Sequence, residues 1–336
     1  MSDQSNNHGR AYEFICLLTL HKEIARYRSV TINKNSSYDA AQRAWESISQ
    51  NLQNLLEQSA SAAVYTIFDL EPLIIEDGND RLDLFIQPDS QGEEGDVRDI
   101  LIVRRNIQWE IGLSIKHNHF AVKHSRLANT LDFGDRWFGV PCSRQYWDDV
   151  NPIFSYLEDE KRKGSKWRDL PDKEGDVYIP LLNAFSDEIH RSAASHPALP
   201  RKMVEYLLGK FDFYKVISID RQRLTQILSF NLHGTLNRSS RSERPKINIQ
   251  KANLPTRIVS LEFKPNSNNT VELYMDGGWQ FSFRIHNAAT LVETSLKFDI
   301  QIVGMPASII TINCKWSSIS KSLNDLLPLD VFCTAG

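Results

Sequence analysis

The residues whose types and spacing could perform chemistry lie close together in the first half of the chain. Asp96 and Asp99 stand at the start of one predicted strand, and Glu110, Ser114 and Lys116 stand on the next. Side chains alternate between the two faces of a strand, so the residues at 110, 114 and 116 share one face. Carboxylates with a lysine on a common face can hold Mg²⁺ and orient an attacking water. Hydrolysis of a phosphodiester bond needs these parts.

Which aspartate joins that face depends on how the two strands pair. The segment between them is short enough for a hairpin. A turn centred on Arg105 and Asn106 places residue 99 opposite residue 112 and puts Asp99 on the face of the lysine. A shift of the register by one residue would bring Asp96 there instead. The pattern favours Asp99 and leaves Asp96 as the alternative.

Glu110 and Lys116 interrupt a run that is otherwise apolar enough for a core strand. Charges in a buried strand are costly unless they are paired or bound to a metal. The alternative is that acids at strand ends are solvated and that a lysine protects a sheet edge. The presence of both charges in one apolar strand favours a functional site.

This segment resembles the PD-(D/E)xK nuclease core in a variant form. Ser114 occupies the position two residues before the lysine, where that core usually has an acid, and Glu110 is the plausible substitute. Four stretches resemble the HaeIII-type restriction endonucleases more narrowly, within a resemblance that runs from residue 9 to near residue 306. They are GRAYE (9–13), GDVRDI (95–100), WEIGLSIKHNHFAVKHSRL (109–127) and GWQFSFRIHNA (278–288).

The resemblance implies a type II restriction endonuclease that cuts double-stranded DNA with Mg²⁺. It also implies the target GGCC, cut between the central G and C to blunt ends, which composition and spacing do not show. A DNA methyltransferase of the same system would be the functional partner. A homodimer is expected because palindromic sites match two-fold symmetry.

Two other functions remain open at this level. A repair nuclease with the same chemistry would prefer lesions or junctions to a fixed sequence. A non-catalytic DNA-binding module would use Glu110 and Lys116 only as a pair with each other, and it would bind DNA without breaking strands.

Residues outside the central segment are further candidates for the site. Glu13 lies on the first predicted helix, where an acid often completes the metal site in nucleases of this type; a surface carboxylate is the alternative. Two groups could contact DNA, one on a helix predicted from His119 to Leu131 and one closing a C-terminal strand, where an arginine can bind guanine. The basic run from Arg238 to Lys251 could hold the backbone. Ordinary surface charge is the alternative for all of them. The members of the two groups are Lys123, His124, Ser125, Arg126, Arg284, His286 and Asn287.

The elements that must position these residues can be read from periodicity and breakers. Two helices are predicted in the N-terminal region, the second capped by Ser36 or Ser37, and a mixed-charge stretch from Glu158 to Asp176 predicts a surface loop. Asp276-Gly277-Gly278 predicts a hairpin turn in a β-rich C-terminal region. The predicted helices cover 10–27, 38–69, 119–131, 143–164 and 199–208, and the predicted strands include 82–86, 97–103, 107–116 and 214–219, with a loop at 88–95.

The order of these elements predicts an α/β (α+β) fold with a mixed central sheet flanked by helices. We place a soft domain boundary near residue 170. Residues 1–170 would form a helical N-terminal region with a nuclease catalytic core. Residues 171–336 would form an α/β and then β-rich region for DNA recognition.

The composition of the 336-residue chain is that of a globular protein, with 41% hydrophobic and 24% charged residues and a formal charge of −3. These values exclude a disordered chain and a generic polyanion binder. The cysteines Cys16, Cys142, Cys314 and Cys333 form no CxxC pair, which argues for reduced buried thiols. The polar N-terminal residues and the lack of a membrane-length apolar run predict a cytoplasmic protein without a membrane segment.

Overall fold

Seven α-helices and twelve β-strands are formed by the residues that the computed structural model describes, which are 2–76, 78–88, 95–120 and 122–316. The helices are α1 (Ser2–Ile24), α2 (Ser36–Ser47), α3 (Gln50–Leu70), α4 (Phe133–Phe138), α5 (Arg144–Arg162), α6 (Ile179–Ser195) and α7 (Leu199–Leu208). The strands are β1 (Val30–Asn33), β2 (Leu82–Ile86), β3 (Ile100–Arg104), β4 (Trp109–His117), β5 (Lys123–Ala128), β6 (Phe213–Ile219), β7 (Leu224–Phe230), β8 (Ile258–Phe263), β9 (Thr270–Met275), β10 (Gln280–Asn287), β11 (Ser295–Gly304) and β12 (Thr311–Lys315).

The chain divides into two compact units, each built from separated stretches of sequence. Unit 1 takes the described residues of Met1–His119, Lys210–Ala252 and Ala307–Gly336, and unit 2 takes those of Phe120–Gly209 and Asn253–Pro306. The boundary expected near residue 170 lies inside unit 2. A single boundary along the sequence cannot describe units that are each assembled from segments far apart in the chain.

Unit 1 is organised by a seven-stranded mixed sheet with the strand order β1-β2-β3-β4-β6-β7-β12. The pairs β1–β2 and β4–β6 are parallel, and the other neighbours are antiparallel. The apolar residues of β4 share one buried cluster with those of α1 and α3. The expected mixed central sheet with flanking helices is confirmed.

The N-terminal helices differ in detail from the prediction. The long helix expected from Tyr38 to Asp69 is two helices, because Ile48 is extended and the Ser49 hydroxyl accepts a hydrogen bond from the amide of Leu52 at the start of α3. Asn35 caps α2 in place of either serine, since its Oδ1 accepts from the amide of Tyr38 over 2.9 Å. A local hydrogen bond therefore decides each boundary.

Unit 2 contains a five-stranded antiparallel sheet with the order β5-β11-β10-β9-β8. The predicted helix from His119 to Leu131 is wrong, because residues 123–128 form β5 and pair with β11. The surface loop expected from Glu158 to Asp176 is also only partly correct. Helix α5 continues to Arg162, and a 3₁₀ turn buries Trp167 before a π-helical turn begins at Glu174.

Of the remaining expectations, some are confirmed and others concern residues outside the described part of the chain. The turn at Asp276 to Gly278 joins β9 to β10, with φ of 72° at Gly277 and 89° at Gly278. Cys16, Cys142 and Cys314 are buried free thiols, whereas Cys333 and most of the predicted loop at 88–95 lie outside the described residues. Within the described part of the chain, no helix has the length and apolar character needed to cross a membrane.

Candidate active site

The hairpin of β3 and β4 sets the face on which Asp99 lies. Ile100 pairs with Leu113 and Leu101 with Gly112, so the register, extended by one residue to Asp99 just before β3, places Asp99 opposite Ser114. The amide of Asp99 donates to the carbonyl of Leu113. This register differs by two residues from the one predicted. A shift of two leaves every side chain on its face, so Asp99 joins the face of residues 110, 114 and 116, as the pattern favoured.

The Asp99 carboxylate receives hydrogen bonds from three consecutive residues of β4. Its Oδ2 accepts from the Lys116 ammonium over 2.9 Å, from the Ile115 amide over 2.6 Å and from the Ser114 hydroxyl over 3.4 Å. The Asp99 and Lys116 side chains are 23% and 30% exposed, so both remain accessible to a ligand. The result is a fixed carboxylate beside a fixed cation, open to solvent on one side.

A second lysine lies on the neighbouring strand and was not among the predicted residues. Lys215 of β6 is paired with Ser114 and is only 4% exposed. Burial, and then the positive charge of Lys116, lower the pKa of Lys215 to about 7, while Asp99 acts to raise it. No local motif marks this residue, because the parallel pairing of β4 with β6 is a long-range contact.

The other two predicted acids are held by an arginine instead of the lysine. Asp96 receives two hydrogen bonds of 2.8 Å from the Arg98 guanidinium, which also donates to Glu110 over 2.8 Å. Burial acts to raise the pKa of Asp96, but the hydrogen bonds from Arg98 hold that pKa below its usual value. The structure therefore separates the four residues predicted as catalytic into a pair, Asp99 with Lys116, and a bridged pair, Asp96 with Glu110.

Glu13 of α1 was predicted as a further metal ligand. It lines an open pocket with Arg10, with Ser36 and Ser37 at the start of α2, and with Gln87 after β2. Neither Asp99 nor Lys116 lines this pocket. The role of Glu13 as a metal ligand stays a prediction.

The first predicted DNA-binding group is divided by strand alternation. On β5, the Lys123 ammonium donates to the carbonyl of Tyr206 over 2.9 Å, and the Ser125 hydroxyl lies 3.2 Å from the Tyr206 hydroxyl. Arg126 is exposed on the opposite face and donates to the Ser295 hydroxyl. His124 is paired through its backbone register with Asp299.

The second group is divided in the same way. Arg284 is exposed and paired with Asp299 over 3.0 Å, and His286 lies opposite Lys297 on the same face of the sheet. Asn287 lies on the other face, where its side chain accepts from the Tyr178 hydroxyl over 3.3 Å. One face of this sheet thus collects Arg126, Arg284, His286 and Lys297, and Lys297 was not predicted.

The basic run from Arg238 to Lys251 is a loop that is anchored in unit 1. Its neighbour Asn237 donates to the carbonyls of Leu70 and Ile247 over 2.9 and 3.0 Å, and Lys246 pairs with Asp69 over 2.7 Å. Arg238, Arg241 and Arg244 are exposed on it. The loop is therefore held to unit 1 by hydrogen bonds, and its arginines are exposed to solvent.

The donor set around Asp99 can be compared with the needs of a magnesium ion. Mg²⁺ is usually bound through one or two carboxylates, with substrate phosphates and waters completing the octahedron. No group of three His, Cys, Asp or Glu side chains suited to a metal occurs among the described residues. The accessible carboxylate of Asp99 fits a magnesium ion whose remaining ligands come from substrate and water.

Comparisons with known proteins point in one direction. The family model of the HaeIII restriction endonuclease matches residues 9–306. The type II restriction enzyme HaeIII of Haemophilus aegyptius is 53% identical over 317 residues, which cover 94% of this chain and 99% of the relative. No solved structure matches the chain.

Proposed function

The chain belongs to the HaeIII restriction endonuclease family, and we propose that it hydrolyses phosphodiester bonds of double-stranded DNA at a short palindrome. The target expected from the family is GGCC, cut between the central G and C to leave blunt ends. The observation that carries the catalytic part is the Asp99 carboxylate, held by Lys116 and by the Ile115 amide on an accessible face.

Each side chain of this pair has a role in the proposed reaction. Asp99, fixed by its hydrogen bonds, would hold Mg²⁺ together with a phosphate of the substrate. The bound ion would take up charge on the phosphate and help to generate a nucleophile from water. Lys116 would place its ammonium beside the scissile phosphate and stabilise the negative charge that develops there. Asp96, Glu110 and Glu13 stay candidates that act around this centre.

The contacts also bear on the non-catalytic alternative. That alternative requires Glu110 and Lys116 to pair with each other. In the structure Lys116 pairs with Asp99 over 2.9 Å, and Glu110 pairs with Arg98 over 2.8 Å. This arrangement favours a nuclease over a module that only binds DNA.

Digestion of a sequenced plasmid tests the proposal directly. Purified protein with Mg²⁺ should produce discrete fragments whose sequenced ends all fall within one short palindrome. A random smear, cutting confined to lesions or junctions, or binding without strand breakage would contradict it. A second aliquot with EDTA should leave the plasmid intact.

The remaining parts of the system follow from the same proposal. We place the enzyme in the cytoplasm, beside a DNA methyltransferase that protects the same sequence. A homodimer would match the symmetry of a palindrome. Plasmid methylated at the target should resist cutting, and sedimentation of the protein with a duplex carrying one site should show two chains per duplex.

A further inference from the structure

The Arg98 side chain makes several polar contacts on the face that carries Asp99. Its guanidinium donates to both carboxylate oxygens of Asp96 and to Glu110, each over 2.8 Å. The same group lies over the ring of Phe211, 4.1 Å from its centroid. The residue is 6% exposed and is therefore buried among these contacts.

The backbone of β4 is adapted to this arginine. A Cβ added at Gly112 would lie 2.0 Å from Cδ, 2.5 Å from Cγ and 2.8 Å from Cβ of Arg98. These atoms are close to the arginine backbone, so swinging the end of the side chain away would not relieve the clash. Gly112 therefore leaves the space through which Arg98 crosses from the start of β3 to Glu110.

The segment that carries Asp99 is fixed through the same residue. The side-chain amide of Gln87 donates to the Asp96 carboxylate over 2.8 Å and to the backbone carbonyl of Arg98 over 3.1 Å. The backbone amide of Arg98 donates to the Asp96 carboxylate over 3.1 Å. Asp99 follows directly, with its own amide bonded to Leu113 over 2.8 Å. The position of the Asp99 carboxylate thus depends on a backbone that Arg98 fastens to β4.

We propose that Arg98 is a positioning residue for DNA cleavage, which fastens the 96–99 segment across Gly112 and thereby aims the Asp99 carboxylate. The proposal rests on the proposed function, because Asp99 acts there as the metal ligand. Partners that orient a ligating carboxylate commonly change metal affinity or activity by about 10- to 100-fold when they are removed. Arg98 is always charged, so it acts as a fixed clamp.

The test uses two variants that disturb the contacts of Arg98 in different ways, one by removing the arginine and one by filling the space that it occupies. Asp96→Asn combined with Arg98→Met removes the buried pair without changing the net charge. The carboxylate that loses its arginine is Glu110, whose side chain is 46% exposed and therefore solvated. Gly112→Ala keeps the arginine and fills its path. Arg105→Met is the matched control, since this arginine of the same hairpin is 67% exposed and pairs with Asp83 over 2.9 Å.

Single-turnover cleavage at saturating Mg²⁺ should fall by about 10-fold or more in both variants, as expected for loss of a ligand-orienting partner. Mn²⁺ binding to the protein in complex with a duplex that cannot be hydrolysed at the cut site, followed by electron paramagnetic resonance of the free ion and corrected for binding to the duplex alone, should weaken by a similar factor. DNA affinity without metal should stay near that of the control, and both variants, although they melt at a lower temperature because the buried pair is lost or crowded, should still unfold cooperatively above the assay temperature. This split between chemistry and binding would not arise from general damage to the fold.

The outcomes separate this proposal from the one on which it rests. Folded variants that cut and bind Mn²⁺ as the parent protein does would overturn the role of Arg98 alone. A parallel loss of DNA binding, metal binding and cooperative unfolding would show a merely structural clamp and would also overturn it. Failure of the parent protein to cut DNA with Mg²⁺ would overturn the proposed function and this role together.

Discussion

Lys116 Nζ donates to Asp99 Oδ2 over 2.9 Å, although the two residues belong to different strands of a hairpin. The contact exists because the register places residue 99 opposite Ser114, and the Ile115 amide holds the same oxygen from the next position. A carboxylate that is fully enclosed by its lysine partner would form only a structural ion pair. Here both groups keep an accessible side, which is the arrangement that a reaction at a phosphate requires.

Replacing Lys116 with alanine should abolish cleavage and leave DNA binding largely intact. The ammonium stabilises charge that develops in the transition state, so its loss should cost roughly 100-fold or more in rate. Single-turnover cleavage and a binding titration without metal measure the two effects. The exposed lysine Lys22 of α1 is the control, and cutting by Lys116→Ala at the rate of Lys22→Ala would refute the assignment.

Replacing Asp99 or Asp96 with asparagine should distinguish the two aspartates. Asp99→Asn removes the negative charge beside Lys116 and should reduce both Mn²⁺ binding and cleavage by about 100-fold or more, since loss of a residue that only orients a ligand already costs about 10- to 100-fold. Asp96→Asn still offers an oxygen to Arg98 and should keep most of the activity. The reverse order of the two variants, measured by the same cleavage assay, would move the metal site to Asp96.

The exposed face of the five-stranded sheet should contribute to DNA affinity. Arg126→Ala and Arg284→Ala each remove a cation from this face. Each phosphate of duplex DNA that the protein no longer neutralises lowers the salt dependence of binding by about 0.9 in log–log slope. Asn287→Ala is the control, because Asn287 lies on the opposite face and bonds Tyr178. Equal slopes in all three variants would show that DNA does not contact this face through these arginines.

Replacing Lys215 with methionine should stabilise the fold at neutral pH. Burial lowers the pKa of this lysine from 10.5 to about 7, so the folded state gives up its proton more readily than the unfolded state. Below pH 7 both states hold the proton, and the cost of the buried charge is present in full. As the pH rises from 7 towards 10.5 only the unfolded state keeps the proton, and stability rises by about 1.4 kcal/mol per pH unit.

Lys215→Met lacks this dependence. Its advantage over the parent protein should therefore be largest below pH 7, on the order of a few kcal/mol, and should vanish near pH 10. Urea unfolding at several pH values measures the difference in free energy, with Lys22→Ala as a surface control. A constant difference across this range would show that Lys215 is charged to the same extent in both states.

Prediction from the sequence was most successful where the cause is local. Strand alternation placed Asp99, Ser114 and Lys116 on one face, and this result survived a register that was two residues away from the predicted one. The helix predicted over His119 to Leu131 failed because β11, more than 160 residues later, provides the strand partner of β5. The residues of a polar segment do not themselves indicate that a distant strand will pair with it.

The family and the chemistry-bearing face were determined by the sequence itself, because motif residues and the two-residue period of a strand are properties of adjacent positions. The tertiary structure decided which charges meet. Asp99 pairs with Lys116, and Asp96 and Glu110 both pair with Arg98, whose side chain passes through the space left by Gly112. The tertiary structure also brought the buried Lys215 beside Ser114 through the parallel pairing of β4 with β6. These pairings depend on register and on contacts between distant segments, which are fixed only when the whole sheet packs.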